Sequence, residues 1–224
     1  MLTTNRDFVL STSVPSRVVI SIPHEGLPIS GLRACFQYRD EGIRGREVYL
    51  SAIVANMNHD TPAASVIQGL LPRAVCDYNR PVTGVRDVAY KDPAIAGFYE
   101  EYHRTITRLL SAAATHGTPR LIDLHGYSSE RSKHSEDLIL GSCNGRTCPD
   151  GYDQLAEQFF RDAGLSVKIA KIGERLSGGY TVRKYGSSQV SALQIEVSSR
   201  FRCMGAEAEG KALARTIREF VCRY

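Results

Sequence analysis

The chain has 224 residues, 42% hydrophobic, 23% charged and 8% aromatic, a length that fits one large α/β domain or two small ones. This composition excludes disordered, collagenous and low-complexity classes, and no apolar run approaches the ~18–20 residues of a membrane span. Net charge is +4, with the basic residues scattered rather than banked, so nothing calls for a nucleic-acid partner or a membrane surface. The first twenty residues lack a secretory pattern. The six cysteines include no C-x-x-C pair, and Cys143 and Cys148 have no two further ligands nearby for a zinc. They read as reduced thiols, and the expectation is a soluble, cytoplasmic protein.

In chain order, residues 18–22 (VVISI) form a β-branched apolar run stopped by Pro23 and predict a buried strand. Residues 46–57 place Val48, Ala52 and Ala55, or Tyr49, Ile53 and Met57, at helical spacing and predict a helix. One or two strands fall within 64–78. Asp92 as N-cap and Pro93 in the first turn open a helix that runs through His116 and stops at Gly117. Its inward stripe is Phe98, Tyr102, Ile106 and Leu109 or Leu110. Strands follow over 120–124, ending at His125-Gly126, and over 138–140. Residues 151–163 predict an amphipathic helix closed by Gly164, 167–170 and 190–197 predict strands, and 206–222 a final helix. Strands alternating with helices imply a single α/β domain over 1–224, with a mixed, mostly parallel sheet and helices on both faces. Ligands of such sheets gather at the carboxyl ends of the strands.

Three strand ends carry polar groups that packing does not require: Pro23-His24-Glu25-Gly26, Asp123-Leu124-His125-Gly126, and Glu196 within the apolar run Leu193-Gln194-Ile195-Glu196-Val197. A buried, unpaired carboxylate is expensive, and histidine is a common metal ligand. Two histidines and a carboxylate converging in space make a three-ligand zinc site with one open position. Taken singly, each has an ordinary alternative, a capped loop histidine or an edge-strand glutamate. Asp123 precedes His125 by two and shares its strand face, where it either orients that histidine or forms a salt bridge in the core. His134 and Asp137 have metal-like spacing but sit in a polar loop, and His59, His103 and His116 carry weaker signals.

Five segments, Ser21-Ile22-Pro23-His24-Glu25-Gly26, Asp77-Tyr78-Asn79-Arg80, Ile122-Asp123-Leu124-His125-Gly126, Gly178 through Gly186 (GGYTVRKYG) and Ala192-Leu193-Gln194-Ile195-Glu196, resemble successive motifs of the N-formylglutamate amidohydrolase family, in that family's order. The resemblance implies a zinc carboxypeptidase-like fold, one Zn2+ per chain, and hydrolysis of the amide of an N-acyl acidic amino acid. It implies His24 and His125 as zinc ligands, with an acidic middle ligand; Glu47 is the first choice, Asp40 the second and Glu25 the third. Leu27 stands where the carboxypeptidase pattern His-x-x-Glu has its glutamate. The same resemblance implies Glu196 as the catalytic carboxylate and Arg73 as an arginine near the reacting carbonyl. It implies Asn79 and Arg80 as the grip on a substrate carboxylate, with Arg183 and Tyr180 as further substrate-binding residues. The Gly178-Gly179 pair reads as a close loop approach to substrate or as a simple turn.

The competing functions are a carboxypeptidase-type metallopeptidase or small-peptide amidase, which the same residues serve, and a non-catalytic carboxylate-binding module. Retention of His24, His125 and Glu196 favours an enzyme acting on a small acidic molecule.

Overall fold

The computed structural model describes residues 8–26, 37, 47–84, 88–132 and 134–224. Within them the strands are β1 (Val9–Thr12), β2 (Val18–Ile22), β3 (Ser65–Gly69), β4 (Arg120–Tyr127), β5 (Leu138–Gly141), β6 (Val167–Ile169) and β7 (Ser191–Ser198). The longer helices are α1 (Leu50–Met57), α2 (Ala96–Ala113), α3 (Tyr152–Asp162), α4 (Tyr180–Tyr185) and α5 (Glu207–Arg223). The strands make one sheet in the order β1-β3-β2-β4-β7-β5-β6. Pairs β2/β3, β2/β4, β4/β7 and β5/β6 are parallel, and β1/β3 and β5/β7 antiparallel.

Both sheet faces are covered, which explains why β2, β4 and β7 read as nearly continuous apolar runs. Val18, Ile20, Ile122, Leu193 and Ile195 pack under α1, α3 and α5, where Phe160, Ile217 and Phe220 close one core. Val19, Ile67, Leu121 and Ala192 pack under α2 on the other face, with Tyr102, Ile106 and Leu109. This is an α/β fold with a mixed, mostly parallel sheet between helical layers. Among the described residues no helix is long and apolar enough to cross a membrane.

Most expected elements occur near their expected limits. The Asp92 side chain accepts the Ala94 N–H at 3.0 Å and starts a 3-10 turn that leads into α2, and Gly117 at φ 126° ends the run. Three elements differ. The helix expected over 46–57 begins only at Leu50, because the Glu47 backbone N–H bonds the His24 carbonyl at 3.1 Å and Tyr49 turns through φ 65°. Edge strand β1 was not expected, since four residues on a largely exposed edge leave no apolar pattern. The six-residue α4 follows Gly178-Gly179, so the doublet introduces a short helix rather than standing as a bare turn.

Candidate active site

Register assembles the site. β2, β4 and β7 lie side by side and parallel, so their carboxyl ends open at one edge of the sheet. His125 is paired with Glu196 across β4 and β7, and Ser21 with Asp123 across β2 and β4. Neighbours in register project to the same face. His24 follows β2 directly and joins them. These ends line a cavity of about 630 Å³ together with Arg73, Asn79 and Arg80.

Glu47 lies between the two histidines. Its Oε1 is 2.9 Å from His24 Nδ1 and its Oε2 3.0 Å from His125 Nδ1. The Gly126 N–H donates to Oε2 at 3.1 Å, and Arg73 Nη1 to Oε1 at 3.2 Å. One ligand atom from each of His24, Glu47 and His125 falls within 4.8 Å of the others, and all three residues are buried. The far nitrogen of each ring meets another carboxylate: His24 Nε2 is 2.7 Å from Asp77 Oδ1, and His125 Nε2 2.9 Å from Asp123 Oδ2. A carboxylate behind a histidine fixes the ring and its tautomer and leaves the other nitrogen to face a metal. A histidine–histidine–glutamate set, turned inward and backed in this way, fits Zn2+.

The backing carboxylates are themselves held. Asp123 Oδ1 accepts the Ser21 hydroxyl at 2.6 Å, and Ser21 Oγ is 2.8 Å from the Tyr102 hydroxyl of α2. Asp77 accepts from Asn79 N at 2.9 Å and Arg73 Nε at 3.1 Å. Burial alone would raise the Glu47 carboxyl, but the charges of His24 and His125 and bonds from both hold it well below its ordinary value. Asp77 is likewise held well down despite burial, chiefly by His24. Burial works to lower His125, yet Asp123 and Glu47 raise it well above its usual range.

Glu196 differs. Burial pushes its carboxyl up to about 7, and Glu47 adds to this against the opposing pull of His125, His24 and Arg73. Its Oε1 accepts from Gln194 Nε2 at 2.7 Å, while Gln194 Oε1 accepts the Gly179 N–H at 2.5 Å. That second bond fixes which way the amide points. Glu196 is thus held by one oxygen beside the histidine pair.

The other residues singled out from sequence divide between the cavity and places away from it. Asn79 Nδ2 is 3.0 Å from His125 Nε2, and its Oδ1 accepts the Thr181 N–H at 2.7 Å. Arg80 lines the cavity, with Nη1 donating to the Asn79 carbonyl at 3.0 Å and Nε 4.0 Å from Asp77 Oδ2. Arg183 lies on the exposed rim and donates to the Gly178 carbonyl at 3.1 Å. Tyr180, by contrast, is not among the lining residues; its ring packs against His103, 5.9 Å between centroids. It points there because α4 turns its Tyr180 and Tyr185 toward the buried His103 of α2. Glu25 is also elsewhere, its Oε2 accepting the Ser51 N–H at the start of α1 at 2.5 Å. Asp40 lies outside the described residues. His134 and Asp137 part company, since Asp137 pairs with Arg200 and binds the Ser166 N–H.

Sequence reasoning missed Asp77, Gln194 and Arg202 as site residues. Asp77 sits in one of the quoted motifs, and Gln194 precedes Glu196 by two on one strand face, which was the available signal. The glycine doublet serves close packing: a Cβ at Gly179 would collide with the Asn79 amide, and Gly178, at φ 132°, lies against Cys143 Sγ.

A family model described as N-formylglutamate amidohydrolase matches residues 81–201, a span that includes His125 and Glu196. An N-formylglutamate amidohydrolase from Ralstonia eutropha JMP134 is similar in structure, with TM-score 0.69, 19% identity, and coverage of 96% of this chain and 98% of that one. A gene product of Agrobacterium tumefaciens gives TM-score 0.67 at 15% identity, covering 96% and 93%. A metallo-carboxypeptidase from Burkholderia cenocepacia gives 0.50 at 11%, covering 95% of this chain and 59% of its own. No curated protein sequence matches significantly. The solved structures establish the shared fold, and the family match covers more than half of the 224 residues; by that match the chain belongs to the N-formylglutamate amidohydrolase family.

Proposed function

We propose that residues 1–224 form one zinc-dependent amidohydrolase domain that cleaves the amide of an N-acyl, N-formyl-like acidic amino acid, with one Zn2+ held by His24, Glu47 and His125. The observation that carries this reading is the pair of inward Nδ1 atoms on the two Glu47 oxygens, each ring backed by a carboxylate. When bound, zinc supplies positive charge for the developing oxyanion and lowers the pKa of water from ~15.7 toward ~7.

The remaining work falls to the side chains. Glu196, held through Oε1 by Gln194, takes the proton from the attacking water as its oxygen adds to the carbonyl carbon. It returns that proton to the leaving nitrogen as the C–N bond breaks, giving a carboxylic acid and a free amine. Arg73 lies beside Glu47 and supplies a fixed guanidinium near the reacting carbonyl. Asn79 and Arg80, with Arg183 at the rim, hold a carboxylate of the amino-acid part.

The test is a screen of N-acyl amino acids with purified zinc-loaded protein, following release of free amine. N-Formylglutamate should be cleaved well ahead of N-formylleucine, and an N-blocked dipeptide more slowly than either. Preference for the dipeptide would overturn the amidohydrolase reading in favour of a peptidase. Arg80→Ala should raise KM for the acidic substrate about 10- to 100-fold, the effect of losing a charge-assisted hydrogen bond worth about 1.5–3 kcal/mol. It should act far less on a substrate whose carboxylates are amidated. Equal losses on both would make Arg80 structural.

A further inference from the structure

One buried cation of the cavity wall is left unused by this mechanism. Arg202 follows the 3-10 turn Ser199–Phe201 after β7, folds back over the strand ends, and is only 8% exposed. Its Nε donates to the Val197 carbonyl at 3.0 Å and its Nη2 to the Tyr127 carbonyl at 2.8 Å, clamping β7 to β4. Gly126 lies beneath it, where a Cβ would collide with Nε, Cζ and Nη2, so the guanidinium rests directly on backbone. These bonds use two of five N–H groups, neither of them on Nη1.

Other buried or half-buried arginines meet carboxylates directly: Arg73 pairs with Glu47 and Asp77, and Arg120 with Asp150. Among the described residues no carboxylate oxygen comes within the 4.0 Å of an ion pair with Arg202. Burial pulls its pKa down, and Glu47, Glu196 and Glu25 offset this only at longer range. A guanidinium taken out of water without a counter-ion is costly unless a ligand supplies one. Arg202 lines the cavity, and the lining as a whole holds five arginines against three glutamates.

Position separates Arg202 from Asn79 and Arg80. The Tyr99 hydroxyl of α2 bonds the Arg80 carbonyl, and the Thr181 N–H of α4 bonds Asn79, so that pair approaches from the α2 side of the sheet. Gly126 alternates with His125 along β4, and Phe201 belongs to the core under α1 and α5, so Arg202 approaches from the opposite side. His125 faces the Asn79 side, 3.0 Å from its amide nitrogen, while Glu47 accepts the N–H of Gly126, the residue beneath Arg202.

We propose that Arg202 is a second anion-binding group of this cavity and a specificity determinant, taking the second carboxylate of a diacid ligand whose first carboxylate is held by Asn79 and Arg80. The assignment rests on reading the cavity as the substrate site of the amidohydrolase. Arg202 then needs no carboxylate from the chain itself, because the ligand brings one.

The experiment is calorimetric titration of zinc-loaded wild type, Arg202→Gln and Arg202→Lys with glutarate and with valerate, a diacid and a monoacid of equal chain length, with metal content measured for each variant. Wild type should favour glutarate by roughly tenfold or more, the scale of one charged hydrogen-bonded contact. Arg202→Gln should erase most of that ratio while valerate binding moves less than about threefold, and Arg202→Lys should keep part of it. An unchanged ratio in Arg202→Gln, or equal loss for both acids, would overturn the proposal and leave Arg202 as a clamp between strands. If Arg202→Gln does not fold, an unchanged ratio in Arg202→Lys is the overturning result. Failure of wild type to hydrolyse any N-formyl amino acid would sink the amidohydrolase reading while leaving the glutarate ratio to be read independently.

Discussion

Glu196→Gln is expected to fold, keep its metal and lose ~10²–10⁴-fold in kcat, the range that a positioned general base and acid contributes. Glutamine preserves the volume and still pairs with Gln194, but it takes up no proton. The wild-type pH profile carries the same information. Glu196 must be ionised to accept a proton, so activity rises with pH through its pKa. Burial pushes that pKa from 4.5 up to about 7. A bound divalent cation pulls it back down, so the acid limb should fall between 4.5 and about 7. In Glu196→Gln that limb should vanish from the residual rate. Unchanged turnover would remove Glu196 from the mechanism, and loss of metal in this variant would make it a ligand instead.

Glu47→Ala should abolish stable metal retention and, with it, activity. Even outer-shell partners of a metal site are worth about 10- to 100-fold in affinity, and a ligand more than that. The substitution also strips both Nδ1 atoms of their partner and removes one acceptor from Arg73. The comparison variant is Glu25→Ala, which removes the acceptor of the Ser51 N–H at the start of α1. It should cost about 0.5–2 kcal/mol of stability, as lost helix caps do, yet leave metal content at wild-type stoichiometry. Elemental analysis of the two proteins separates the candidates. Metal loss in Glu25→Ala with retention in Glu47→Ala would reverse the assignment.

The strand framework was legible because β2, β4 and β7 are buried on both faces and so read as unbroken apolar runs. His24, His125 and Glu196 stood out against those runs for the same reason. What the sequence hid lies in groups that act through other residues. Asp77 carries no pattern of its own, since its role is to back His24 across 53 positions of chain. Arg202 lies beyond the last recognised motif and reveals itself only through its position over Gly126. The late start of α1 was equally hidden, because Glu47 leaves the helical path to reach two histidines that no local spacing connects to it. Tyr180 was drawn toward the substrate by its neighbours in the motif, but the aromatic cluster around His103 takes its ring.

Amide hydrolysis by this chain is expected to depend on one zinc ion at His24, Glu47 and His125. The most direct measurement is hydrolysis of N-formylglutamate by chelator-stripped protein, followed as zinc is returned in increments. The stripped protein should be inactive, and activity should climb linearly to a break at one equivalent per chain, with no such recovery in His125→Ala. Full hydrolysis by the stripped protein, or recovery in His125→Ala equal to wild type, would contradict it.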